Sequence, residues 1–250
     1  MAETLLPSAV TSRAMRDVSA WDRLKVNRHW LGLWFMLPTA AILILFLAYP
    51  LGLGVWLSFT DARIGRTGAF IGTENYEWLW GDSIFWLSVF NTLLYTGVAS
   101  VIKFAVGLYL AILLNQSLPF KALLRSVVLI PFIVPTVLSA IAFWWLYDSQ
   151  FSIISWSLRQ VGLIKSNIDF LGDPWNARWS VIFTFSDFQL IYVLTRGGPA
   201  NATHVFATYA FDIAMGAGQF GQGASIALSM VPPLALIILA MAIYMRPAKS

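Results

Sequence analysis

The sequence predicts an all-α integral membrane protein, a polytopic helical bundle of about four full spans plus one short segment. Three observations predict it. Of 250 residues, 58% are hydrophobic and only 11% charged, where a soluble domain carries about 45–50% and about 25%. Several apolar runs are long enough to cross a hydrocarbon core of ~30 Å at 1.5 Å per helical residue. Lysines and arginines gather beside those runs, as at a membrane surface. The same composition excludes intrinsic disorder. The absence of cysteine excludes a disulfide framework, a thiolate zinc site and a cysteine nucleophile, and the two histidines, His29 and His204, are too few for a histidine-rich metal centre. No metal site, no catalytic residue and no nucleic-acid partner is expected; the net charge of +4 is modest and its placement suits lipid.

In chain order, residues 1–30 form a tail without a long apolar run, so no secretory signal peptide is expected. The tail carries Arg13, Arg16, Arg23, Lys25 and Arg28. A transmembrane region, 31–250, follows. Its first span covers about 31–59 and contains Pro38, Pro50, Gly52 and Gly54, which a membrane bundle tolerates because neighbours re-satisfy the freed carbonyls. The second covers about 86–114 and holds Lys103. The third covers about 123–147, with Pro131 and Pro135 near its start, and a final span covers about 224–245. Between the third and the last lies a weaker segment, 179–195, which carries Asp187.

Charge bias places both tails and the loop holding Lys121 in the cytoplasm. The first loop, with Asp61, Glu74, Glu77 and Asp82, then faces outward, and Trp78, Trp80 and Trp86 suit an aromatic belt there. Both tails inside require an even number of crossings. Four spans satisfy this; a fifth crossing at 179–195 does not, so either that segment does not cross or a partner segment is missing.

Three stretches resemble permease subunits of bacterial ATP-binding-cassette sugar importers, the inner-membrane components of binding-protein-dependent transport systems. They are Phe90–Asn115 (FNTLLYTGVASVIKFAVGLYLAILLN), Leu124–Ile164 continued by the FLGDP of Phe170–Pro174, and Phe185–Thr203 (FSDFQLIYVLTRGGPANAT) followed by GQGASIALSMVPP. The third is the most specific. The resemblance implies a six-helix core, a second permease subunit, two cytoplasmic ATPase subunits and an extracytoplasmic sugar-binding protein. It also implies a bacterial inner-membrane location, with ATP and magnesium bound by the partner ATPases and no cofactor in this chain. The family's ATPase contact is a Glu-Ala-Ala loop between the fourth and fifth helices. Here Asn176-Ala177-Arg178-Trp179 runs almost directly into Val181–Phe185, and no Glu-Ala-Ala occurs. The pattern reads as an internal deletion of the fourth helix and that loop, at the junction where the crossing count fails. As written, the chain is expected not to couple to an ATPase, which co-purification of the cassette or ATP-dependent uptake would refute.

Candidate site residues follow from cost and chemistry. Lys103 lies well inside a span, where a charge costs about 2.5–3.5 kcal/mol on insertion scales, and is either a contact on the substrate path or a snorkelling stem. Asp187 can pair with it or sit in an aqueous vestibule. Phe185, Asp187, Gln189 and Tyr192 form a polar-aromatic group suited to sugars, since rings cover a pyranose's C–H face while carboxylates and amides take its hydroxyls; the alternative is that the rings pack against other helices. Asn91 and Thr92 are read as interhelical glue. Gly197, Gly198 and Pro199 form a tight turn, either a binding-protein contact or a plain connection. No Gly-Lys-Ser/Thr follows the glycines of 216–223, and no HExxH or GxSxG occurs, so neither nucleotide binding nor enzymatic activity is expected. An ion- or proton-coupled secondary transporter, with Lys103 and Asp187 as coupling charges, is the alternative class.

Overall fold

The computed structural model describes residues 28–117, 119–184 and 187–245; the tails, with Arg13 to Lys25, Arg246 and Lys249, lie outside the described residues, as does Phe185. The chain divides into two compact units, residues 1–53 and 54–250, where the sequence suggests a boundary near residue 30.

The first unit is built on α1 (Arg28–Leu43), a π-helical turn (Ile44–Ala48) and the start of α2 (Tyr49–Ser58). Pro38 is carried inside α1. The π turn directly precedes Pro50, and the Tyr49 N–H reaches back five residues to the Ile44 carbonyl. A proline has no N–H to give, and the wider turn absorbs the resulting misfit. Residues 32–58 make one helix long and apolar enough to cross a membrane.

In the second unit, a loop and α3 (Glu74–Gly81) lead into α4 (Ser83–Asn115), 33 residues or about 50 Å of helix. Asp82 starts α4 by accepting the Ile84 and Phe85 N–H groups, satisfying two of the donors that every helix N-terminus leaves open. After α5 (Lys121–Leu129) and a 3-10 turn (Ile130–Phe132) comes α6 (Thr136–Leu146). The expected single span over 123–147 is therefore broken, with its two halves bent by 92°. Pro131 and Pro135 account for the break, because each removes a helical donor and crowds the preceding turn.

Beyond α7 (Ile153–Gln160), the expected segment 179–195 resolves into two helices, α8 (Pro174–Phe183) and α9 (Phe188–Thr195). Asp173 caps α8 through the Trp175 and Asn176 N–H groups, with Pro174 at the first helical position, where its missing donor costs nothing. The chain closes with α10 (Phe206–Phe211), a π turn (Asp212–Gly216), α11 (Phe220–Ser229) and α12 (Val231–Tyr244). The last two together are long enough to span. The described residues thus hold three spanning helices, or four if the bent pair counts as one, and no strand beyond two isolated β-bridges.

Two apolar clusters hold the second unit together. Leu79, Phe85, Phe206, Tyr209 and Ile226 join α3, α4, α10 and α11. Tyr95, Tyr147, Val181, Ile182, Ile191 and Leu194 join α4, the end of α6, α8 and α9. Outward-facing residues such as Val101 and Phe104 on α4 are left bare, at 70% and 72% exposed, which lipid covers at no cost.

The end of the unit that carries the first loop is the most tightly tied. Asn75 donates to the Ser58 and Thr60 carbonyls, both at 2.8 Å. The Gly221 N–H donates to Ala62 and the Ile64 N–H to Gly218. Trp86 gives its indole N–H to the Trp80 carbonyl, and the two rings meet edge-on at 5.0 Å. Gly221 is required here, because a Cβ would fall inside the contact radius of the Thr60 carbonyl oxygen. Replacing Gly221 with Ala is expected to cost about 1–3 kcal/mol, as overpacking does. Gly97→Ala, at a helical site with open space around it, is expected to be neutral or stabilising by up to ~1 kcal/mol. Tryptophan-fluorescence melting of both variants in detergent checks the contrast.

Candidate functional site: a polar cavity between three helices

One face of α4 carries Thr92, Tyr95, Thr96, Ser100 and Lys103, a spacing that stacks side chains in a single stripe along a helix. This stripe, with Val181 and Ile182 of α8, Asp187, and Phe188 and Ile191 of α9, encloses a cavity of about 310 Å³. That volume lies at the lower edge of the range of small-molecule sites. Val205 and Ala207 complete the wall.

The cavity unites two of the residues singled out in the sequence. Lys103 and Asp187, 84 positions apart in the chain, line the same space. Asp187 stands in extended backbone at the head of α9 and accepts the Leu190 N–H at 3.0 Å. One carboxylate thus closes a helix N-terminus, where the macrodipole favours a negative charge, and faces the cavity. The other candidates lie elsewhere. Gln189 meets Thr136 Oγ1 at the start of α6 rather than the cavity. Tyr192 stacks on Phe188 and meets Phe211 edge-on at 5.1 Å, so its ring packs between helices. Phe185 lies outside the described residues.

In the Gly197-Gly198-Pro199 turn, Gly197 is buried, Gly198 and Pro199 are half-buried, and the flanking Arg196 and Ala200 are exposed. Gly197 has φ +87° and packs so close to the His204 ring that a Cβ has no room. The Thr203 hydroxyl donates to the Gly198 carbonyl at 2.7 Å, and the Thr203 N–H donates to Gly197. Its geometry is that of an internal knot joining α9 to the strand-like run before α10. A second cavity, of about 240 Å³, sits at the first-loop end among Asp61, Arg63, Glu74, Trp78, Gln219 and Gln222.

Sequence reasoning passed over four side chains. Tyr95, Thr96 and Ser100 were legible as a hydroxyl stripe interrupting an apolar span at helical spacing. Arg178, 8% exposed, carried no such signal. Its Nε donates to Asn91 Oδ1 at 3.0 Å, and its guanidinium lies 4.7 Å from the Trp175 ring centre and 5.8 Å from that of Phe90. Aromatic faces partly replace the water this cation gave up. Asn91 and Thr92 act as the expected glue: Asn91 Nδ2 donates to the His204 carbonyl at 2.9 Å, and the Thr92 hydroxyl accepts the Phe206 N–H at 3.1 Å.

No protein-family model matches the chain. Among characterised proteins it is similar to the trehalose/maltose transport system permease protein MalF of Thermococcus litoralis, 27% identical over 228 residues, which covers 89% of this chain and 75% of that one. It is also 23% identical over 268 residues to the probable ABC transporter permease protein PH1215 of Pyrococcus horikoshii, covering 82% and 92%. This chain is a homologue of ABC-transporter sugar permeases. The fold agrees, for the permease homologue superposes on a chain from the crystal structure of a bacterial ABC transporter involved in import of the acidic polysaccharide alginate. The TM-score is 0.68, with 18% identity, 90% of this chain and 97% of the other covered. The PH1215 alignment is longer than this whole 250-residue permease homologue, so that relative has positions with no counterpart here.

At the clasp between α9 and α10 of the permease homologue, burial holds the His204 imidazole below its ordinary range, a shift that the nearby Asp212 carboxylate partly opposes. Burial and the Asp82 hydrogen bond keep the Tyr209 phenol protonated. Because the folded state disfavours the charged imidazole, the unfolded chain takes up the proton first as pH falls. The stability His204 contributes is therefore full above the unfolded value near ~6.5 and is lost as pH falls through the folded value. Melting temperatures measured between pH 8 and pH 5 are expected to fall with acidification, and His204→Gln to flatten that fall.

Proposed function

We propose that this chain is a transmembrane permease subunit of an ATP-driven importer for a sugar or related carbohydrate, and that the cavity between α4, α8 and α9 is part of the solute path. The observation that carries the reading is the cavity itself. Inside an otherwise apolar bundle, five polar side chains of α4 and the Asp187 carboxylate converge on one space of ligand size. Polar and ionisable groups are expensive at such depth and are kept where they face a pathway. Hydroxyls, one ammonium and one carboxylate supply donors and acceptors for a polyhydroxylated solute, while Phe188 and Tyr95 offer ring surface to its C–H face.

The partners are those that the family resemblance implies. A second permease subunit would complete the path, two ATP-binding subunits would supply the energy and hold the ATP and magnesium, and an extracytoplasmic binding protein would deliver the sugar. A solved relative of this fold was crystallised with an oligosaccharide-bound periplasmic protein. The first-loop end, with its charged and amide-lined second cavity, is the face offered to such a protein. In this reading both tails lie in the cytoplasm, and alternating access proceeds by rocking of helices about the cavity.

Calorimetric titration of the purified chain in lipid nanodiscs tests the site without requiring ATPase coupling. The ligands are maltose, trehalose and an acidic uronate oligosaccharide. Saturable binding of at least one is expected. Lys103→Met and Asp187→Asn are each expected to weaken it at least tenfold, and Gln189→Ala to leave it unchanged. Binding that survives both cavity substitutions intact overturns the assignment of the path.

A further inference from the structure

We infer that α8 and α9 form a re-entrant hairpin, entering the membrane and leaving it on the same side, rather than one broken crossing. The inference rests on the chain being a membrane bundle and is independent of what it transports.

Length argues first. The helices have 10 and 8 residues, about 15 Å and 12 Å, and neither alone spans ~30 Å. Placed end to end they would span it, so direction decides. The deciding contact is the Asn91 side chain. Its Oδ1 accepts from Arg178, in α8, and its Nδ2 donates to the carbonyl of His204, beyond α9. One amide therefore holds the middle of α8 and the chain beyond α9 at one level. In a continuing crossing, the 26 residues from 178 to 204 would carry the chain roughly 30 Å or more away from Asn91.

Contacts with α6 agree. Tyr147, at the C-terminal end of α6, donates to the Ser180 carbonyl and packs against Phe170, which precedes α8. Gln189, at the start of α9, meets Thr136 at the opposite end of α6. Val193 to Arg196, at the finish of α9, share a cavity wall with Ile141 and Trp144. α9 thus runs alongside α6 from its start toward its end, and that end also meets α8 and the run before it through Tyr147. Thr195 then bonds Thr203 at 2.7 Å, on the same level as the Asn91 clasp.

The hairpin restores even parity without a missing crossing. Only four residues separate α8 from α9, where the family resemblance would place a contact with an ATPase.

The chain has no cysteine, so single-cysteine labelling tests this directly. Ser166→Cys before α8 and Ala200→Cys after α9 are reacted with a membrane-impermeant maleimide in intact and in permeabilised cells. Thr67→Cys in the first loop and Ser117→Cys between α4 and α5 serve as references for the two faces. Residues 166 and 200 are expected to label with residue 67 and opposite residue 117. Labelling of 166 and 200 on opposite faces overturns the hairpin. Lys165→Cys and Arg196→Cys replace either probe if its variant fails to reach the membrane. A sugar-binding failure in nanodiscs leaves this outcome untouched, and the reverse also holds.

Discussion

Asn91 fastens three parts of the chain at one depth of an apolar bundle. Lipid offers a backbone carbonyl or a guanidinium no substitute for water, so every polar group brought inside must find its partner in the protein. Asn91 meets that need twice, through its oxygen for Arg178 and its amide for His204. Interhelical hydrogen bonds in membranes are modest, averaging about 0.6 kcal/mol and reaching about 1.7 kcal/mol. Their value here is geometric, because the two bonds fix the middle of α8 and the chain beyond α9 at one level of α4.

The placement of the cavity follows from that clasp. With Arg178 and His204 pinned to one level of α4, Asp187 at the head of α9 lies deeper, and its carboxylate is presented to the Lys103 part of the α4 stripe. Val181, Ile182, Ile191 and Leu194 pack behind it with Tyr95 and Tyr147. The cavity is thus bounded by a long continuous helix on one side and two short helices on the other. A short helix can be capped by a carboxylate that also faces a solute, which a continuous span cannot offer. The tightly knit first-loop end is separate from this region and keeps the mouth of α4 rigid through Asp82, Tyr209 and the Trp80–Trp86 pair.

Much of this was legible one residue type at a time. Runs of apolar residues marked the spans; Pro131 and Pro135 were visible near the start of the third, but the 92° break they cause was not expected. The odd half-span at 179–195 was found by counting crossings. Lys103 and Asp187 stood out by cost alone. Gln189 and Tyr192 did not reach the cavity because, on an eight-residue helix, residues two and five places on from Asp187 turn toward α6 and α10. Arg178 was invisible, since a lone arginine near a proline-capped helix start reads as a surface cation until its aromatic neighbours are known. For the Gly197–Pro199 turn the sequence left a binding-protein contact and a plain connection both open, and the packing of the His204 ring on Gly197 was not legible because that ring comes from beyond the turn.

The sequence by itself determined that the chain lives in lipid, where its long apolar runs lie, and that it is kin to sugar permeases through its IYVLT-x-GGP run. Each of these depends on local composition or on an uninterrupted string. Only the tertiary structure decided that two half-length helices fold back on each other and that a lysine and an aspartate 84 residues apart share one cavity. Those outcomes depend on which distant side chain answers a buried polar group, and no pattern confined to neighbouring residues encodes that choice.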